Sequence, residues 1–153
     1  MVSGKLIRLI ESHEEEIARS ILRAIRHQQS LLHMGRLPDQ ELRERGEQIL
    51  KNLDHWLAHA NEQKLAHEYE TLGRERFDEG IPLHEAAECL FLIKEKMIDF
   101  LDEQGSEHDS LALYAEEQFE RRIGRFFDLL LVHLIRGYER AWRLAQPAER
   151  GWL

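Results

Sequence analysis

Apolar residues recur at three- and four-residue steps along nearly the whole chain, the period of an α-helix rather than a strand. Leu6, Ile10, Ile17, Ile21, Ala24 and Leu31 form one such stripe. It predicts a first helix from about Lys5 to His33, stopped by Gly35, with His13 and Gln28 on the same face. Pro38, Asp39 and Glu41 suit the first turn of a second helix, where acids complement the helix dipole. Its stripe is Leu42, Ile49, Leu53, Trp56 and Leu57, and Asn61 marks a break. A third helix, from Glu62 to Glu79, turns Leu65, Tyr69, Leu72 and Phe77 inward. The fourth, from Leu83 to Glu103, carries Leu83, Ala86, Leu90, Ile93, Met97 and Phe100, widened by Phe91, Ile98 and Leu101. So broad an apolar arc places it centrally in a bundle. A turn at Gln104-Gly105-Ser106 leads to a fifth helix, from about His108 to Ala145, ended by Pro147.

The stretch from Tyr69 to Leu101 organises this pattern. Gly80 suits the left-handed residue that closes a helix, and Pro82 suits the first turn of the next. Gly73, Arg76, Gly80 and Pro82 are therefore read as a structural turn motif. So short a connection predicts that the third and fourth helices lie antiparallel and in contact. The expected fold is all-α: an antiparallel bundle of about five helices with a long C-terminal helix, a globin-like variant included. The fifth helix would be over about 50 Å long, more than the bundle needs. It carries two adjoining stripes. Phe119, Ile123, Phe126, Leu130, Leu134 and Ala141 suffice for one core. Phe127, Leu131, Ile135, Tyr138 and Trp142 form a second, which is expected to meet another copy of the chain.

Composition narrows the function. The 153 residues fit one domain, residues 1–153, with a real core. A net charge of −8 argues against a nucleic-acid binder, which needs a basic face. Cys89 is the single cysteine, so no internal disulfide or cysteine-based zinc knuckle forms. The opening Met-Val-Ser-Gly-Lys-Leu-Ile-Arg has no apolar signal-peptide run, and Phe126 to Ile135, interrupted by Asp128 and His133, is too short to cross a bilayer. These features predict a cytoplasmic soluble protein without membrane association.

Candidate chemistry is sparse. His55 and His59 have an i,i+4 spacing that suits zinc, but two ligands do not make a site, and they fall opposite Leu53 and Trp56. None of the nine histidines follows a Glu by three residues, as a di-iron bundle requires. His84 and Glu88 resemble only half of a hemerythrin-type site. Arg121, Arg122 and Arg125 lie among acids such as Glu117 and Glu120 and read as surface pairing. No phosphate loop or nucleophilic triad pattern is present, so no catalytic residue, metal or cofactor is assigned. His133 is the histidine with the most open role. It reads first as a core-edge residue bonded to a carbonyl or water. A second reading makes it a haem or small-ligand contact. A third takes His133-Leu134-Ile135-Arg136-Gly137 as similar to a histidine phosphotransfer signature.

Three segments resemble one family. They are Leu9-Ile10-Glu11-Ser12-His13-Glu14-Glu15-Glu16-Ile17, Leu37-Pro38-Asp39-Gln40-Glu41-Leu42, and the run from Leu72 through Gly80 to Leu83 ahead of an apolar helix. Together, over about Leu6 to Trp142, they are similar to the N-terminal domain of RsbT co-antagonist proteins of the RsbR/RsbD type, also found ahead of bacterial histidine kinases. The resemblance implies a cytoplasmic, non-catalytic sensory input domain. It implies dimerisation and relay through the last helix to an output kinase, an anti-sigma regulatory protein or another stressosome-type partner. Some relatives have a globin-like fold without haem. No output domain follows Trp152, so the chain reads as a stand-alone sensor or a fragment.

Overall fold

A computed structural model of the chain describes residues 8–59, 61–104 and 110–146. Lys5, Leu6, the Gly105-Ser106 turn, His108 and Pro147 lie outside the described residues. The fold is an all-α bundle, as its periodicity predicts. Its long helices are α1 (Glu14–His27), α2 (Asp39–His59), α3 (Glu62–Asp78), α4 (Leu83–Gln104) and α5 (Ser110–Ala145). Met34–Arg36 forms a 3-10 turn before α2.

The first segment departs from the expected single helix at both ends. Residues 8–12 are helical, and α1 starts anew after His13. The Ser12 hydroxyl and His13 Nδ1 both turn back onto the Leu9 carbonyl, at 3.1 and 2.9 Å, in competition with the helical ladder. At the other end α1 stops at His27, because Gln28 is extended, with ψ 110°. The chain then dips so that Leu31 and Met34 are buried while Leu32 stays 63% exposed. Arg26 straps this loop by bonding the carbonyls of Gly35 and Leu37 and the carboxylate of Asp39.

The third connection closes as a helix-terminating motif. Ile81 N–H reaches the Arg76 carbonyl at 3.0 Å, Gly80 N–H reaches Phe77 O at 3.0 Å, and Gly80 has φ +77°. A β-branched side chain resists that φ, so Gly80→Val is expected to destabilise the fold by about 1 kcal/mol or more. The check is a denaturant midpoint; an unchanged one overturns it.

Two expectations about this region are corrected. Gly73 and Arg76 lie inside α3, not in the turn. The helices that the turn joins do not run side by side either: α3 makes the most extensive helix contact of the fold, with α5, and α4 packs on α5 and α1. The short turn fixes proximity at one end but not the crossing angle. The α5 helix wins the groove because Tyr138 donates to the Ile81 carbonyl at 2.9 Å and stacks edge-on against Phe77. The core is otherwise that of the predicted stripes. Met97, Leu101, Ile123, Phe126 and Leu130 are fully buried, while Phe91 and Leu83, placed on the α4 seam from sequence, are exposed.

Candidate functional site

The α3–α5 seam gathers the chemistry that the fold leaves unusual. Two glycines set its distance. A Cβ on Gly73 would strike the Leu134 carbonyl oxygen and lie 3.0 Å from Gly137 Cα. A Cβ on Gly137 would strike the Glu70 carbonyl oxygen and lie 3.0 Å from Glu70 Cα. The two backbones therefore touch, as at small-residue helix crossings. Neither glycine was assigned this role from sequence; an isolated glycine on an otherwise apolar helix face was the available signal.

His133 sits one turn before Gly137 on α5. Its ring is buried, 2% exposed, and neither nitrogen has a hydrogen-bond partner. Glu62 Oε2 lies 3.5 Å from Nε2, and Glu70 Oε2 lies 3.9 Å from Nδ1. Glu70 also pairs with Arg140 at 2.9 Å. Two carboxylates thus flank the ring. A ring so enclosed cannot meet a partner's phosphoryl group, so the geometry gives the phosphotransfer reading no route.

The bundle interior holds a void of about 40 Å³, walled by residues that include Ile25, Leu42, Tyr69, Cys89 and Leu134. Leu134, not His133, faces it, and the void is far smaller than the few hundred Å³ of an ordinary ligand pocket. Burial pushes the Cys89 thiol up to about 12, outweighing the nearby Arg76 charge, so the thiol stays protonated and inert. Arg76 is itself buried. Burial opposes its charge, but Glu41 and Glu79, at 2.7 and 2.9 Å, outweigh that and hold the guanidinium protonated. It ties the end of α3 to the start of α2.

The expected interface residues divide. Phe127 and Tyr138 are buried within the chain, Tyr138 against Phe77 of α3 and Ile81 of the α3–α4 turn, so that part of the second stripe is already covered. Leu131 and Ile135 are half-buried, and Trp142 is 55% exposed. Val132 and Leu144, absent from the sequence-derived set, are exposed on other faces of α5. Trp142 borders an open groove of about 560 Å³, lined also by Phe77, Ile81, Pro82, Leu83 and Tyr138. Elsewhere, the His55 and His59 rings pack 4.7 Å apart at the surface, and Arg122 caps the Leu57 carbonyl at 2.8 Å. Among the described residues, no three His, Cys, Asp or Glu side chains converge as metal ligands do, and no helix is long and apolar enough to cross a membrane.

The architecture is thus an all-α bundle whose longest helix packs most closely on a single neighbour. The family profile described as the RsbT co-antagonist protein rsbRD N-terminal domain matches residues 15–150, and the chain belongs to this family. It is thereby a signalling input domain of the stressosome-related type. Comparisons with curated proteins and with solved structures find no match.

Proposed function

We propose that this chain, residues 1–153, folds as one non-catalytic input domain that pairs with a second copy along α5 and relays a signal through that helix to an output kinase or stressosome-type regulator. The observation that carries the reading is the outer face of α5. Over its 36 residues it leaves Trp142 in solvent, in line with the half-buried Leu131 and Ile135. An apolar line of this kind, rimmed by the exposed Arg136 and Glu139, is the sort of surface a partner covers. A two-fold axis would make the strip its own complement. A small shift between paired helices is then readable at their ends.

Ile135→Glu combined with Trp142→Glu is expected to convert a dimeric parent into a folded monomer, read by light scattering and circular dichroism. A parent that is monomeric at tens of micromolar sinks the pairing.

A further inference from the structure

We propose that the groove beside Trp142 is the docking site of a segment of this same chain: Trp152 and Leu153 come back past Pro147 and fill it. The contact does not depend on the pairing along α5, although Trp142 serves both.

The groove lies where the α3–α4 turn meets the last turns of α5. Phe77, Pro82 and Leu83 line it from the turn, and Tyr138 and Trp142 line it from α5. Its volume of about 560 Å³ is that of a site able to enclose large apolar groups. Trp142 is 55% exposed and Leu83 38% exposed, so the apolar lining faces solvent among the described residues.

The length of chain after α5 fits this site. The helix stops at Ala145, and Gln146 N–H bonds back to the Arg143 carbonyl at 3.2 Å. Pro147 has no N–H with which to continue the helical ladder. The six residues from Gln146 to Trp152 span at most about 20 Å. The groove side of α5, from Ala145 back to Tyr138, is only about 10 Å long. Trp152 and Leu153 are the large apolar side chains of the run from Pro147 to Leu153.

Charge sets the direction. Glu139 and Arg143 stand exposed at the rim, and neither side chain is in an ion pair among the described residues. The run carries Glu149 and then Arg150. A segment returning antiparallel to α5 brings Glu149 to Arg143 first and Arg150 to Glu139 next. Such rim pairs fix register more than they add affinity. Seated there, Trp152 covers Trp142 and withholds it from a second copy.

The test is disulfide trapping in the full chain. Leu83→Cys with Leu153→Cys is expected to close within one chain, seen on a non-reducing gel, roughly tenfold faster than Leu144→Cys with Leu153→Cys. Leu144 is nearer in sequence but exposed on another face of α5. Cys89 is buried and stays out of the reaction. Adding Trp152→Ala to the first pair should slow it to the control rate.

If Leu83→Cys does not fold, the exposed Glu139→Cys replaces it at the α5 rim of the groove. Equal rates for the groove and control pairs overturn the docking, and so does a rate that Trp152→Ala leaves unchanged. A disulfide that forms between two chains overturns it as well and gives the groove to a second copy. Intrachain closure in a protein that light scattering finds monomeric leaves the docking standing and sinks only the pairing along α5.

Discussion

Gly137→Ala is expected to cost about 3 kcal/mol. Helix propensity alone predicts the opposite sign, since alanine is favoured over glycine by about 1 kcal/mol inside a helix. The added Cβ, however, lands on the Glu70 carbonyl oxygen and 3.0 Å from Glu70 Cα. These are main-chain atoms of a hydrogen-bonded helix and have no rotamer in which to retreat. The helices must part, which opens the most extensive contact in the fold and strains Tyr138, bonded to Ile81 one residue further on. Overpacking costs of about 1–3 kcal/mol are usual where side chains can yield, and here they cannot. For a chain of this size the melting temperature should fall by roughly 6–12 °C. Gly124→Ala supplies the control, because its Cβ meets nothing within 4 Å and the same change should be neutral or stabilising. Equal effects at the two positions would show that backbone contact at the seam is not what Gly137 provides.

The contrast between those glycines shows what the sequence could carry. Periodicity locates helices because burial of a stripe is local information. It placed α2 through α4 within a residue or two, and it placed Phe126, Leu130 and Leu134 in the core. It could not say which helix a stripe faces. The turn at Gly80 was legible, yet it does not dictate that α3 and α4 pack together, because Gly73 and Gly137 let α5 come closer to α3 than α4 does.

The same limit hid the divided second stripe of α5. Helical phase puts Phe127 and Tyr138 beside Leu131, Ile135 and Trp142, but the curvature of the neighbours decides which are covered. His133 was visible as an odd polar residue on an apolar face. Its flanking carboxylates were not, since Glu62 and Glu70 are separated from it by more than sixty residues of sequence. The break at His13 was missed because side chains that bond back to a carbonyl leave no mark on hydrophobic spacing.

Glu85→Gln should destabilise the protein by about 1–2 kcal/mol, although it changes one atom. Glu85 stands in the first turn of α4, where an acid is ordinary, and nothing in the sequence marks it as buried. It is 2% exposed. Its Oε1 accepts from the His33 N–H at 2.7 Å and the Met34 N–H at 3.0 Å, and its Oε2 accepts from His33 Nδ1 at 2.5 Å. One carboxylate thus supplies acceptors for the 3-10 turn that carries the chain from α1 to α2. Glutamine keeps the shape but replaces one oxygen with an NH₂, which must face His33 Nδ1 as an acceptor. The backbone N–H groups keep an acceptor, but their bonds and the one to His33 lose their charge, and charge-assisted hydrogen bonds exceed neutral ones by about 1 kcal/mol.

The charge has a second consequence. Burial opposes the ionised form, but the Met34 N–H, the His33 side chain and the His33 N–H outweigh it and hold the Glu85 carboxyl below its usual range. A carboxyl lowered in the folded state contributes stability that is present above its unfolded value and is lost as pH falls through the folded one. The parent should therefore lose stability in acid below the ordinary carboxylate range, and Glu85→Gln should lose less of it. Urea midpoints measured from neutral pH down through that range separate the two. A variant whose midpoint falls as steeply as the parent's would mean that Glu85 is not the acid that holds the α1–α2 connection.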